Sequence, residues 1–380
     1  MERIADSRPD GNQIEVSVFG PGYGESIVIH AGNGEWIIVD SCINPLSGKP
    51  AALEYLERIG VDPASSVRLI VATHWHDDHI RGLSKIFRAC KRSDFSCSVA
   101  LQSRQFLALV EACGTRHMMS SSGVDEFYEI LSAMAHRARE ASSPGIHPRW
   151  AIADRPLWRK SQPGANADLM NQVHALSPSD AAMRRSLEEL ASLFPLGRSP
   201  KRRVMPRSPN HFAVVIWANI RGTILLLGSD LEETNDPDTG WAKIVVSGTR
   251  PAGRACLFKV PHHGSRNADH PAVWSDLVDS RPLCVLTPFW MGSAQLPRRS
   301  DIERIMQHTD NAYISADLKA KRLKRRKPVE EMLKGAVRSI RPLHSSFGHV
   351  RVRSSGQMDP KELAVDLFGD AIPLNAFHAM

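Results

Sequence analysis

Short apolar runs recur along the chain and predict strands. The first three lie in QIEVSVFG, ESIVIHA and GEWIIVDSC, and turn-forming glycines separate them. Residues 49–60 then carry apolar side chains at helical spacing, and this predicted helix stops at a glycine. The next run, VRLIVATH, is almost wholly apolar, which is typical of a strand buried on both faces. This order of strands, helix and buried strand predicts an α/β fold.

The second half of the chain repeats this arrangement. Two apolar strands are predicted in HFAVVIWANIRGTILLLGSD, and further strands follow in ACLFKVPHHGS, RPLCVLTPFW and GHVRVRSS. In each half, a β-rich run leads to a histidine-rich turn and then to a helix. The pattern therefore predicts one large domain over residues 1–355.

Three segments depart from this strand-rich pattern. Residues 111–166 contain a stripe of apolar positions at helical spacing, and we interpret them as a helical insertion or cap. Residues 195–210 are rich in proline, arginine and lysine, which predicts an exposed basic loop. Residues 356–380 are predicted to form a C-terminal tail, either as a short helix or as a partly ordered segment.

Composition narrows the class of protein without giving a function. The 380 residues are 42% hydrophobic and 23% charged, as in ordinary globular proteins. No apolar stretch reaches the ~18 residues of a membrane span, and the N-terminus lacks the apolar core of a signal peptide, so we expect a cytoplasmic protein without a membrane partner. Six scattered cysteines include no CxxC pair, which argues against a disulfide framework. The net charge of +7 favours an anionic partner only weakly.

The stretch VATHWHDDHIRGL places three histidines and two aspartates within residues 74–79, directly after the buried strand. His74 and His76 alternate along an extended turn and can share one ion, whereas Asp78 and His79 can reach a second ion. Imidazole and carboxylate ligands suit zinc, with manganese and iron as alternatives. Because unpaired buried polar groups are costly, a purely structural role is a weak alternative for this cluster.

Two divalent ions about 3.5–4 Å apart need further ligands from elsewhere in the chain. Candidates stand at predicted strand ends: His211 before one strand, Asp230 after another, and His262 or His263 after a third. The sequence does not decide between the two adjacent histidines. A lone histidine such as His211 is often only a polar surface residue, so its assignment is the weakest of the set.

The motif HWHDDH fits the pattern HxHxDH, and on it the chain resembles the metallo-β-lactamase superfamily. The stretches FGPGYGESIVIHAGNGEWIIVDS, LLLGSDLEE and LFKVPHHGS are similar to the hydrolase domain of DNA-uptake competence channel proteins. The resemblance covers residues 14–355, with a looser match over residues 80–205. It implies an αββα sandwich of the metallo-β-lactamase type, with a two-metal site at one edge of the sheets.

The resemblance also implies roles for individual residues. The implied metal ligands are His74, His76 and His211 for one ion, and Asp78, His79 and His262 or His263 for the other. Asp230 would bridge the ions, and Asp40 would orient the ligand loop without binding metal. Asp78, His79 and Asp230 are accordingly the predicted catalytic residues.

A two-zinc site generates hydroxide at neutral pH, which predicts a hydrolase and leaves the substrate open. The cationic stretches RSPKRRVMPR (198–207) and KAKRLKRRK (319–327) either hold a phosphate backbone or are merely solvated. Together with the resemblance to a DNA-handling family, they favour a nuclease or phosphodiesterase that acts on DNA rather than RNA. Asn210 and Ser265 lie next to predicted ligands and are candidates for contacting a phosphate oxygen.

Two other functions stay open. The first is a small-molecule hydrolase of esters, lactams or phosphodiesters, which a narrow pocket without a basic track would favour. The second is a regulatory module with a vestigial site, which the failure to bind metal would favour. Because the basic loop at residues 195–210 is open to proteolytic cleavage, we also expect control by a protease or a partner protein.

Overall fold

The predicted apolar runs form strands throughout the part of the chain that the structure describes. The computed structural model describes residues 7–20, 24–102, 122–140, 148–161, 171–193, 209–291, 294–317, 328–329, 332, 346–354 and 363–377. The strands, numbered in chain order, are β1 (Glu15–Gly20), β2 (Ser26–His30), β3 (Trp36–Val39), β4 (Val67–Ala72), β5 (Asp94–Ser98), β6 (Arg149–Ala151), β7 (Arg155–Lys160), β8 (Asn171–Ala175), β9 (Ile216–Ile220), β10 (Thr223–Leu227), β11 (Ala255–Lys259), β12 (Val278–Leu286), β13 (Phe289–Met291), β14 (Ala294–Leu296), β15 (Ala312–Ile314), β16 (Gly348–Ser354), β17 (Leu363–Gly369) and β18 (Ile372–Pro373). The α-helices are α1 (Ala51–Arg58), α2 (Pro63–Ser66), α3 (Asp77–Ile80), α4 (Leu83–Ala89), α5 (Ser122–Glu140), α6 (Asp180–Leu193), α7 (Gly240–Val246) and α8 (Arg299–His308).

Sixteen of these strands form two large sheets of eight strands each. The first sheet has the order β17-β16-β1-β2-β3-β4-β5-β6, and the second has the order β18-β15-β12-β11-β10-β9-β8-β7. In the first sheet, the strands from β3 to β6 run parallel. In the second sheet, β10, β11, β12 and β15 run parallel. Each sheet thus joins an antiparallel part to a parallel part, in agreement with the two similar halves of the sequence.

Three apolar clusters define the layers. The cluster between the sheets contains inward-facing residues of both, such as Ile37 and Leu69 from the first sheet and Leu225 and Leu257 from the second. Helices α1, α4 and α5 cover the outer face of the first sheet. Helices α7 and α8 cover the outer face of the second sheet. The layers therefore run helix, sheet, sheet, helix, and the predicted αββα sandwich is confirmed.

The parallel strands bring separate parts of the sequence to one edge of the sandwich. Asp40 follows β3, and residues 73–79 follow β4. In the second sheet, Asp230 lies shortly after β10, His263 shortly after β11 and Thr287 directly after β12. Because the carboxyl ends of neighbouring parallel strands meet at the same edge, these side chains come close together although they are far apart in sequence.

The residues expected to form a C-terminal tail, 356–380, form two strands and a short 3₁₀ helix over the described part, 363–377. β17 pairs antiparallel with β16, and β18 pairs with β15, so this segment adds an edge strand to each sheet. Leu363, Val365 and Leu367 alternate with more polar residues and pack against the cluster between the sheets. The expectation of a tail was wrong because this alternation is short and half-exposed, as is usual for an edge strand.

The expected helical insertion, residues 111–166, is helical over α5, whose buried Phe127, Ile130 and Met134 pack on the first sheet. The same segment also contributes β6 and β7, which are the last strands of the two sheets. Most of the expected basic loop, residues 195–210, lies outside the described residues. Among the described helices, none combines the length and the apolar character that crossing a bilayer requires.

The ion pair between Glu15 in β1 and Arg353 in β16 allows a test of what stabilises the first sheet. Glu15 is fully buried and accepts hydrogen bonds from Tyr55 Oη at 2.6 Å and from Arg353 Nε at 2.8 Å. We expect Arg353→Met to lower the free energy of unfolding by about 3 kcal/mol, because it leaves a buried carboxylate without its cation. Urea denaturation measures this loss.

The matched control is Arg299→Met, which removes an exposed arginine from a helical pair with Glu303. It should change the stability by less than about 0.5 kcal/mol. Equal midpoints for the two variants would contradict the structural importance of the pair.

Candidate metal centre

The loop that carries the HWHDDH motif is fixed by its backbone as well as by its side chains. The Ser41 N–H donates to the His79 carbonyl at 2.7 Å, and the Glu25 N–H donates to the Asp78 carbonyl at 2.8 Å. Asp78 and His79 are buried in the short helix α3, while His76 directly precedes it and is half-buried. The loops after β1 and β3 therefore hold Asp78 and His79 in place.

Four predicted ligands converge in one buried cluster, which consists of Asp78, His79, Asp230 and His263. One ligand atom from each lies within 4.8 Å of the others. The Oδ2 atom of Asp230 is 3.3 Å from Nε2 of His79 and 3.5 Å from Nε2 of His263. Nε2 of His263 is also 3.6 Å from Oδ2 of Asp78. The cluster thus brings together two carboxylates and two imidazoles from both sheets.

Three histidines of the centre use one ring nitrogen for support, and His79 and His263 turn the other toward the cluster. Nδ1 of His79 bonds Oδ2 of Asp40 at 2.8 Å, and Nδ1 of His263 lies 3.1 Å from the carbonyl of Thr287. Nδ1 of His74 lies 3.0 Å from Oγ1 of Thr73. This arrangement is typical of metal-binding histidines, in which the second nitrogen fixes the tautomer and the orientation of the ring.

The atoms that remain without a partner fit a divalent cation. Within the described residues, the Nε2 atoms of His74, His79 and His263 are buried and have no hydrogen-bond partner. A buried polar atom without a partner is costly unless a ligand satisfies it. Because imidazole nitrogen and carboxylate oxygen are preferred zinc ligands, the residues present fit the metal that the sequence predicts.

The electrostatics of the cluster also favour a cation. Burial alone would lower the pKa of His263, but the charges of Asp230 and Asp78 raise it to about 9. Burial would also lower the pKa of His79, but the carboxylates of Asp230 and Asp40 raise it well above its usual value. Burial would raise the pKa of Asp230, yet His79 and His263 hold it well below its ordinary range. Positive charge at this point therefore stabilises the carboxylates of Asp78 and Asp230, and either protons or a metal ion can supply it.

His74 and His76 form the other part of the centre. Their rings lie 5.0 Å apart, and the rings of His74 and His79 lie 4.3 Å apart. Burial and then the charge of His79 lower the pKa of His74 well below its usual value, so its imidazole is neutral and can act as a ligand. The three rings are therefore neighbours, and the sharing of an ion by His74 and His76 stays a prediction.

Asp40 lies behind these histidines. Its carboxylate accepts bonds from the Thr73 N–H at 2.7 Å and from Thr73 Oγ1 at 2.6 Å, in addition to the bond with His79. Burial raises the pKa of Asp40, and the contacts with His79 and Thr73 offset part of this shift. Its oxygens thus hold the ligand loop, and the predicted role of Asp40 as an outer residue that does not bind metal stays a prediction.

Two predicted ligands and one predicted substrate contact lie at the rim of the centre. His211 has a side chain that is 42% exposed, and its Nε2 lies 3.8 Å from Oε2 of Glu232. Nδ1 of His262 lies 2.9 Å from Oδ1 of Asn267 and 3.4 Å from Oε1 of Glu232. Asn210 donates to the same oxygen of Glu232 at 2.8 Å. We call Asn210, His211, Glu232 and His262 the Glu232 rim.

The structure therefore separates the two adjacent histidines. His263 enters the four-residue cluster, whereas His262 belongs to the Glu232 rim. Ser265 lines a small cavity with Trp241 and Phe258 on the helix side of the second sheet, and its contact with a phosphate oxygen stays a prediction.

Sequence reasoning missed a buried polar group behind the ligands, formed by Glu25, Lys259 and Thr287. Nζ of Lys259 lies 2.6 Å from Oε2 of Glu25, and Thr287 Oγ1 donates to the same oxygen at 2.7 Å. The signal was a lysine inside the apolar run ACLFKVP, which has no place in a buried strand unless an acid pairs with it.

Comparison with known proteins gives the family of the first part of the chain. Residues 19–99 match the family model of the Metallo-beta-lactamase superfamily, and they include Asp40 and all of residues 74–79. This part of the chain is therefore similar to the metallo-beta-lactamase superfamily. No curated protein matches the sequence significantly. The comparisons add no support for a specific relationship with competence channel proteins, so that finer resemblance stays a prediction.

Solved structures with low similarity to this chain include three bacterial or metagenomic proteins. The metallo-beta-lactamase fold protein YhfI from Bacillus subtilis is 10% identical with a TM-score of 0.35, over 79% of this chain and 95% of that protein. MEM-A1, a subclass B3 metallo-beta-lactamase from a soil metagenome library, is 14% identical with a TM-score of 0.31, over 69% and 83%. Zn(2+)-bound PqqB from Methylobacterium extorquens is 10% identical with a TM-score of 0.31, over 69% and 73%. At this level of similarity, they support no inference about the substrate of the present protein.

The adjacent histidines His262 and His263 provide a matched test of the metal centre. Both have positive φ angles, 45° and 55°, which asparagine tolerates. We expect His263→Asn to weaken the binding of one zinc equivalent by more than about 100-fold, because it removes a ligand rather than an outer partner. His262→Asn should bind zinc as the unchanged protein does.

Titration of metal-free protein against a zinc chelator measures both affinities. Equal losses in the two variants, or a loss only in His262→Asn, would contradict this assignment.

Proposed function

We propose that this protein is a metal-dependent hydrolase that cleaves phosphodiester bonds in DNA. It holds two divalent ions, for which zinc is the preferred metal and manganese the alternative. The observation that carries the proposal is the buried convergence of Asp78, His79, Asp230 and His263, beside His74 and His76. Divalent ions bound there would supply activated water at neutral pH and would polarise the phosphoryl group.

The side chains of the centre have separate tasks in this reaction. His79 and His263 are held through their Nδ1 atoms by Asp40 and Thr287, so that both Nε2 atoms face Asp230. The carboxylates of Asp78 and Asp230 balance the positive charge of the site and fix its position between the sheets. Because Asp78, His79 and Asp230 are buried and anchored, they keep the geometry of the reacting groups constant during turnover.

Nucleic acid is the favoured substrate for three reasons. The chain has a net charge of +7, it contains the cationic stretches at residues 198–207 and 319–327, and it resembles a DNA-handling family. Neutralising backbone phosphates with such residues releases counterions and favours binding. Both stretches lie outside the described residues. We include in the proposal that cleavage of the basic loop, or a partner protein that binds it, regulates access to the centre.

A second function, the hydrolysis of small esters or lactams, is favoured by the Glu232 rim. The Glu232 side chain is 21% exposed and contacts His262, the chain neighbour of His263, and its negative charge opposes the approach of a polyanion to this rim. Its contacts with Asn210 and with His262 reduce this effect and do not abolish it.

A substrate panel decides between the two functions. Purified protein supplied with Zn²⁺ or Mn²⁺ should cleave single- or double-stranded DNA faster than RNA, and it should leave a chromogenic lactam and a neutral ester intact. We expect Asp78→Ala to lower the rate of cleavage by more than about 100-fold, because it removes a ligand.

The neighbouring Asp77→Ala is the matched control and should retain most of the activity, because Asp77 lies outside the four-residue cluster. Hydrolysis of the lactam or ester without cleavage of any nucleic acid would overturn the nuclease proposal and support the second function.

A further inference from the structure

A buried lysine lies directly behind the predicted bridging aspartate. Lys259 is the last residue of β11, and none of its side chain is exposed. Its Nζ atom lies 2.6 Å from Oε2 of Glu25, which is 1% exposed, and it donates to the Ser229 carbonyl at 3.0 Å. A buried charge is expensive without a partner, so Lys259 and Glu25 depend on each other. Because the Lys259–Glu25 pair lies next to the predicted ligand Asp230, it can influence that ligand as well as the packing of the core.

The two oxygens of Asp230 face different surroundings. Oδ2 lies 3.3 Å from Nε2 of His79 and 3.5 Å from Nε2 of His263, and it therefore points into the ligand cluster. Oδ1 lies 4.0 Å from Nζ of Lys259, and this atom has no hydrogen-bond partner within the described residues. The lysine thus attracts the oxygen that the histidines leave free.

Glu25 also connects the Lys259–Glu25 pair to two further predicted ligands, Asp78 and His263. Its N–H donates to the Asp78 carbonyl at 2.8 Å. Its Oε2 accepts from Thr287 Oγ1 at 2.7 Å, and that hydroxyl lies 3.0 Å from Nδ1 of His263. A single buried ion pair therefore contacts the supports of Asp78, Asp230 and His263, which come from three separate loops.

We propose that the Lys259–Glu25 pair is a positioning device that keeps Oδ1 of Asp230 away from the ions, so that Asp230 offers them Oδ2 alone. The pair thereby sets the affinity and the coordination number of the ion held by Asp78, His79, Asp230 and His263. This inference rests on the metal centre of the proposed function, but it does not depend on which substrate is hydrolysed.

The variant that tests it is Glu25→Gln/Lys259→Met, which removes both charges at once and leaves no buried charge unpaired. The matched control is Glu15→Gln/Arg353→Met, because it removes another buried ion pair at the end of β1 farther from the centre. Equilibrium titration with Zn²⁺ and the visible absorption spectrum of the Co²⁺-substituted protein are the measurements. Neither one requires a substrate.

We expect the Glu25→Gln/Lys259→Met variant to bind one of its two ions about 10–100-fold more weakly, which is the usual effect of removing an outer partner. The Co²⁺ absorption should fall in intensity as Asp230 binds through both oxygens and the coordination number rises. The control variant should keep the affinity and the spectrum of the unchanged protein. Equal affinity and an equal spectrum in the test variant would overturn the proposal.

A measurement on the unchanged protein keeps the proposal testable even if the double variant does not fold. In a crystal structure of the zinc-loaded protein, Nζ of Lys259 should lie within hydrogen-bond distance of Oδ1 of Asp230. Chelation of one zinc by both oxygens of Asp230 would overturn the inference. Failure of the nuclease assay with these metal-binding results intact would instead contradict only the proposed substrate.

Discussion

The carboxylate of Asp40 ties the ligand loops of the two sheets together. It accepts hydrogen bonds from the backbone and the hydroxyl of Thr73, and it fixes the ring of His79 through Nδ1. The Thr73 hydroxyl in turn accepts from Ser229 Oγ at 2.7 Å, which belongs to the loop of the second sheet that carries Asp230. Through Thr73, Asp40 is therefore linked to the loop after β4 and to the loop after β10 at the edge of the sandwich. Asp40 itself has a φ of 56°, a backbone conformation that is uncommon outside glycine and that such surroundings must enforce.

The centre concentrates charged groups in a largely buried part of the protein. Asp40, Asp78, Asp230 and Glu25 are all buried, and each of them faces an imidazole, a hydroxyl, a backbone N–H or the ammonium group of Lys259. In such surroundings an unpaired carboxylate would be neutralised by a proton, and the raised pKa of His263 shows the same demand from the other side. A metal ion meets this demand without the need for protonated ligands, which explains why so many acidic groups can coexist in one interior.

The fold and part of the centre could be predicted because their signals are local in the sequence. The apolar runs give the strands, and the HWHDDH motif places four candidate ligands within six residues. Other features depend on contacts between distant residues. His211 lies in the 3₁₀ turn Pro209–Phe212, which leaves its side chain 42% exposed, and no local pattern announces that geometry.

The choice between His262 and His263 likewise depends on two successive left-handed backbone conformations, which turn neighbouring side chains to different surroundings. β17 was not predicted because an edge strand buries only one of its faces, and buries that face only in part. Lys259 left a visible signal as a charge inside an apolar run, yet its partner Glu25 is more than 200 positions away. Its role therefore becomes apparent only in three dimensions.

The pairing of β1 with β16 has a consequence for the order in which the protein is made. Glu15 and Arg353 are neighbours across these strands although 338 positions separate them. During synthesis, β1 and β2 therefore emerge long before the strand that completes their side of the sheet. The HWHDDH loop likewise emerges well before Asp230 and His263. The chain consequently carries only Asp78 and His79 of the four-residue cluster over the 184 positions that separate His79 from His263, and the cluster is complete only when the second sheet has docked on the first.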